Sequence, residues 1–140
     1  MRPYHDIEFH RASSSLVWWR DLPANAFTSA HEAALSRELA HLFGADWRAS
    51  RDDAAVAIAR AIRTLHDKSA PADAVDAVMS ATLLHVLHGD AAAREILIFG
   101  LCRQKSLACD LIADGWGSAP VIRTPCASRS PRRRQSRIAQ

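Results

Sequence analysis

The sequence predicts an all-α protein: a compact bundle of about four main helices joined by short connections. Three observations predict it. Apolar residues recur at helical spacing from residue 29 to residue 114. Capping residues and Gly or Pro punctuation separate the periodic segments. Hydrophobic residues make up 49% of the chain and alanine is heavily used, a balance that favours packed helices. With 140 residues the chain can bury a core without disulfide or metal staples.

Residues 1–24 read as an N-terminal arm that folds over the bundle. Ser13–Ser15 can cap a short helix containing Leu16-Val17-Trp18-Trp19, and Pro23 stops it. Adjacent tryptophans cannot face the same way on a helix, so one packs and the other meets water or a partner. The bundle itself is expected over residues 25–117. Its first helix spans 29–43, opened by a capping box of Ser29 with Glu32 and closed at Gly44. Leu35, Leu39 and Leu42 form its buried stripe. The stretch 45–49, with Trp47, reads as a connection.

A second helix is expected over 50–68, capped by Ser50, with Asp52 and Asp53 at the positive end of its dipole. Ala55, Ile58, Ile62 and Leu65 form its apolar face. The third, over 71–88, starts with Pro71 at a first helical position and presents Val75, Val78, Met79, Thr82, Leu83 and Val86. Gly89-Asp90 reads as a C-cap followed by an N-cap, with a continuous helix as the alternative. The fourth, over 90–114, is apolar nearly all round between Ala91 and Leu101, so it is either central or at a subunit interface. Arg103-Gln104-Lys105-Ser106 cannot all avoid a core. The helix emerges into solvent there or breaks, with Ser106 capping a last piece that Gly115 ends.

Charge divides the chain differently. Residues 1–117 hold 12 Lys/Arg against 15 Asp/Glu, whereas residues 118–140 hold six arginines and no acid. The net charge of +3 therefore reports an appendage and not a basic face on the body. That tail, with Pro120, Pro125, Pro131 and the run Arg132-Arg133-Arg134, is expected to be disordered. It could contact phosphate backbones without sequence preference. No helix carries the polar, basic recognition face of a helix-turn-helix.

Three cysteines lack CxxC spacing, and Cys102 and Cys109 lie about 10 Å apart along a continuous helix, too far for a disulfide. They read as free thiols of a reducing compartment. On a continuous helix both share a stripe with Ile98 and Ile112, which reads as core sulfur packing; Lys105 between them would lower a thiol pKa if the stripe were exposed. No secretory pattern opens the chain, and its longest apolar run, 96–102, is far below the roughly 20 residues of a membrane span. A cytoplasmic protein is expected.

Among chemical candidates, His85, with His88 and Gly89, has a pattern that resembles the histidine-phosphotransfer signature over about five residues. In that family a helical histidine accepts the phosphoryl group, a lysine three residues on steadies it, and a glycine at four admits the incoming receiver domain. The resemblance implies His85 as phosphoacceptor and Gly89 as the clearance position. His88 stands where lysine is expected and weakens charge stabilisation at neutral pH. Glu38 and His41 have the ExxH spacing of carboxylate-bridged metal sites, and His85 and His88 are also i,i+3. Glu8, Glu32 and Glu95 are the only other glutamates, and His41 points away from the leucine stripe, so no metal site is expected. There is no GxSxG and no phosphate-cradling glycine loop. No cofactor is expected.

The leading expectation is a non-enzymatic adaptor or regulatory module that acts by contact with a protein partner and can self-associate. Its interface candidates are Trp18, Trp19, Ile98 and Phe99. Phosphotransfer through His85 and nucleic-acid binding through Arg132, Arg133 and Arg134 stand as the alternatives.

Overall fold

The structure, a computed structural model, describes residues 15–118. The expected arm before Ser15 and the basic tail from residue 119, with Arg132–Arg134, lie outside the described residues. Within them the protein is all-α. The helices are α1 (Trp18–Asp21), α2 (Ser29–Phe43), α3 (Trp47–Asp52), α4 (Ala54–His66), α5 (Ala72–Leu87), α6 (Ala91–Cys102) and α7 (Leu107–Ser118). Short 3-10 turns at 15–17, 24–26 and 44–46 link the early elements.

The middle of the bundle is α5. Every residue from Asp76 to Leu84 is buried, so this helix is enclosed on all sides by α4, α6, α2 and α1. Its composition explains how: Ala77, Ser80 and Ala81 keep its girth small while Met79, Leu83 and Val86 fill the space between neighbours. Ser80 and Thr82 are fully buried and satisfied, Ser80 donating to the Leu16 carbonyl at 3.0 Å and Thr82 to the Val78 carbonyl at 2.9 Å. The sequence offered the segment 91–101 for the central place. That segment forms α6, which buries Ala93, Leu97, Gly100 and Leu101 and leaves Phe99 45% exposed.

Several helix boundaries differ from expectation, each for a local reason. Thr28, not Ser29, caps α2, with His31 in place of Glu32. The Thr28 hydroxyl accepts the His31 N–H at 3.4 Å, and the His31 Nδ1 accepts the Thr28 N–H at 3.1 Å. Thr28 is extended (φ −123°, ψ 175°), as a cap must be. The expected helix 50–68 is two helices. Asp53 (φ −133°, ψ 110°) takes the Ala55 N–H on its carboxylate at 2.9 Å, so a side chain replaces the continuing ladder and the chain turns. Ser50 is therefore a buried residue inside α3 and no cap, and Trp47 opens that helix rather than lying in a loop. The Trp47 ring stacks on Phe43, with centroids 6.1 Å apart.

Pro71 is the N-cap of α5, one residue before the helix. Gly89 does interrupt the helix: its φ of 93° is open to glycine and strained for other residues, and the Asp90 carboxylate then accepts the Ala93 N–H at 2.8 Å to start α6. The polar run 103–106 is likewise a break. Lys105 turns the chain at φ 52° and the Ser106 hydroxyl accepts the Cys109 N–H at 3.3 Å. Gly115 does not end the last helix, because α7 runs through Ser118.

Three residues of the expected apolar faces are on the surface, Ala55 among them. Leu42 is 50% and Ile62 is 39% exposed, because α2 turns its Leu35/Leu39 stripe inward and α4 buries Ala57, Ala61 and Leu65 instead. The two alanines let α4 lie close on α5, which a row of isoleucines would hold apart.

The N-terminal segment is fastened by charge as well as by packing. Trp19 is fully buried against α5 and α7. Its indole N–H donates to Asp76 Oδ1 at 2.9 Å, and Arg20 grips the same carboxylate with Nε on Oδ1 at 2.9 Å and Nη2 on Oδ2 at 3.0 Å. The bond to Asp76 raises the Arg20 pKa further above its already high value. Ser15, through its N–H and its hydroxyl, meets the Glu38 carboxylate of α2.

Candidate functional site

Three places in the described residues bear on function: the histidine cleft, the cysteines, and the outward face of the last two helices.

The cleft holds the phosphotransfer candidates. It encloses about 200 Å³ among Glu32, Ser36, Trp47, Arg51, Leu84, His85 and His88. His85 projects from the last turn of α5, half-buried, with Nε2 2.7 Å from the Ser50 carbonyl oxygen of α3. A nitrogen at that distance from a carbonyl carries the proton, so Nε2 has no lone pair to offer an incoming phosphoryl group, and in the neutral ring the lone pair is on Nδ1. The imidazole ties α3 to α5. His88 is mostly exposed and sits with Nε2 2.5 Å from Glu32 Oε2, joining the end of α5 to α2. Arg51 is paired with its neighbour Asp52 at 2.9 Å, and that hydrogen bond holds the Asp52 carboxyl below the usual range. Each charged or basic group at the cleft is thus partnered within the protein. The cleft is also smaller than the roughly 300–1,000 Å³ typical of small-molecule sites.

The ExxH pair separates in the same way. Glu38 accepts from Ser15, while His41 is exposed to solvent. Among the described residues no group of three His, Cys, Asp or Glu side chains is arranged to hold a metal ion. The cysteines do not share a stripe, because the break at 103–106 changes the helical phase between them. Cys109 is buried with its thiol 3.7 Å from the Arg20 carbonyl, whereas Cys102 is exposed. No helix of the described residues is long and apolar enough to cross a membrane.

The interface candidates sort unequally. Trp19 is in the core and presents no surface to a partner. Trp18 is half-buried, edge-on to His31 at 4.8 Å between centroids. Ile98 is half-buried against the core. Phe99 remains on the surface, with the Arg103 guanidinium 5.6 Å from its ring centroid.

Two further large apolar residues are still more exposed: Leu107 at 75% and Leu111 at 62%. On α7 the core side is Cys109, Ala113 and Trp116. At about 100° per residue, Leu107 and Leu111 fall on the opposite side. On α6 the same arithmetic sets Phe99 opposite Leu97 and Leu101. The hairpin of α6 and α7 therefore packs inward with one apolar stripe on each helix and turns a second set of large apolar side chains outward. The clue was present in the sequence. Segment 107–116 carries apolar residues on both helical faces, more than a helix packed on one side requires.

No protein-family model matches the chain, and no curated protein or solved structure matches it.

Proposed function

We propose that this protein is a non-enzymatic helical module that works by protein contact, and that its contact surface is the outward face of the α6–α7 hairpin. The observation that carries this reading is the exposure of Phe99, Leu107 and Leu111 on helix faces directed away from the core. Leaving a leucine in water forgoes about 1.5–3 kcal/mol of burial, so two exposed leucines one turn apart beside an exposed phenylalanine form a surface that gains by being covered. The acid, base and cationic groups at the histidine cleft have partners within the fold, which supports binding over catalysis.

The test uses the full chain in its host cells, with a photo-activated cross-linking side chain in place of Leu111. Ala59 on α4, also exposed, serves as the control position. The expected result is covalent adducts to protein at 111 well above those at 59. Equal adducts at the two positions would refute the contact surface.

A further inference from the structure

Resting on that contact surface, the pattern along α7 names its occupant. We infer that the surface is covered by a second copy of this chain, docked with α7 antiparallel to α7 about a two-fold axis near Leu111.

The first argument is shape. The outward line of α7 runs Leu107, Leu111, Gly115, Ser118, large in its first half and small in its second. An antiparallel pairing centred on Leu111 sets position 107 of one helix level with position 115 of the other. Each Leu107 then lies over a glycine. Nothing lies within 4 Å of where a Cβ on Gly115 would be, so the space above it is open to the partner's leucine. The two Leu111 side chains meet at the axis, and Phe99 on the neighbouring helix extends the apolar area on both copies. A parallel pairing would put leucine on leucine at one end and glycine on glycine at the other, leaving half of the contact empty.

The second argument is charge. The start of α7 is basic, with Arg103 and Lys105 in the turn before it, and its later part is acidic, with exposed Asp110 and Asp114. Reversing one helix brings the basic end of each copy to the Asp114 end of the other, twice by symmetry. One contact opposes this. Asp110 of each copy lies beside the axis, so the two carboxylates approach one another.

The contact is small. The 12 residues of α7 span about 18 Å, which with Phe99 gives an interface at the low end of the specific range. The dissociation constant is accordingly expected on the order of micromolar.

The experiment is sedimentation of the full chain from about micromolar to millimolar concentration, with two variants and the cross-linker at 111. The expected result is a concentration-dependent shift to twice the monomer mass. Leu111→Asp abolishes the shift and leaves the urea midpoint of the dilute monomer unchanged, since the residue is mostly in water. Asp110→Asn tightens association several-fold by removing the repulsion at the axis, a gain that a generic sticky surface would not show. A monomer across the whole range overturns the proposal, and so does a dimer that Leu111→Asp leaves intact. If adducts at 111 form to a different protein, or only to residues 119–140 of the same chain, the second-copy occupant fails while 111 remains a contact position. If 111 yields no more adduct than 59, the contact surface fails with it.

Discussion

Replacing Asp76 by alanine would release the N-terminal segment from the bundle, and the structure fixes how much that costs. Its side chain is only 9% exposed, and its carboxylate accepts three hydrogen bonds, one from the Trp19 indole and two from the Arg20 guanidinium. Alanine removes all three acceptor contacts. The Trp19 N–H is then left buried without a partner, at a cost of about 1–3 kcal/mol. Breaking a fully buried ion pair costs about 3–5 kcal/mol, but Arg20 is 30% exposed and can recover part of its hydration, which lowers its share. The combined loss is predicted at about 2–4 kcal/mol. For a domain of this size that is a fall in Tm of roughly 7–18 °C. Asp76→Asn keeps one carbonyl acceptor for Trp19 and gives up the charge, so its loss should be about half as large. The assay is urea unfolding followed by circular dichroism, with the m-value held as a check on two-state behaviour. A loss below about 1 kcal/mol for Asp76→Ala would refute the reasoning, because it would mean that Trp19 and Arg20 do not depend on this carboxylate.

Three further outcomes are expected. Gly89→Ala should cost about 1–2 kcal/mol in urea unfolding, since the new Cβ must accept a φ of 93° between α5 and α6. Gly100→Ala and Gly100→Val should part company. A Cβ there would meet the terminal methyl of Met79 at 2.6 Å and its sulfur at 3.3 Å, the far end of a flexible side chain, and the Trp19 ring at an ordinary 3.5 Å, so alanine is expected within about 1 kcal/mol of wild type, helped by its helix propensity. Valine should lose more than that by overpacking the α5–α6 contact, seen as a lower Tm. Incubation of the full chain with acetyl phosphate should add no phosphate at His85 Nε2, and a phosphohistidine at that nitrogen that is lost in His85→Ala would show that the Ser50 carbonyl does not hold it.

One dependence on pH has a definite sign. The Asp67 carboxyl is held below its usual range, first by the Ser69 hydroxyl and then by the Ser69 N–H. A depressed carboxyl favours the fold when ionised, so its contribution is complete above the ordinary aspartate range and is lost as pH falls through the depressed value. Acid titration of unfolding should show that part of the loss vanish in Asp67→Asn.

Much of the fold was legible because its signals are local. Helix existence followed from apolar spacing and the stop at Gly44 from the one residue type that adopts positive φ freely, while at Gly89 and at 103–106 the local signals allowed a break capped by Asp90 or Ser106 and left the other course open. The misses concern competition between equals. Thr28 and Ser29 are both good caps, and only the chain path from Phe27, which sets its ring beside Trp116, decides that Thr28 is the extended one. Asp52 and Asp53 are both suited to a first turn, and the choice of Asp53 as a cap split a helix that periodicity joined.

The candidate surface was half legible. Phe99 stood out in an apolar segment, whereas Leu107 and Leu111 were assigned to no face of the last helical piece. Trp18 and Trp19 could be ranked only once Asp76 was known to wait for an indole N–H on one side of α5.

The sequence by itself determined that this chain is helical, where most helices lie, and that its charge is segregated toward the basic end. Those properties depend on residues within one or two turns of each other. Only the tertiary structure decided which helix is central, which tryptophan is core, and that His85 is spent on the Ser50 carbonyl. It alone also decided which apolar stripe of α7 faces water. These outcomes depend on contacts between residues far apart in the chain, and helical periodicity, which marks a stripe as apolar, carries no record of what lies across from it.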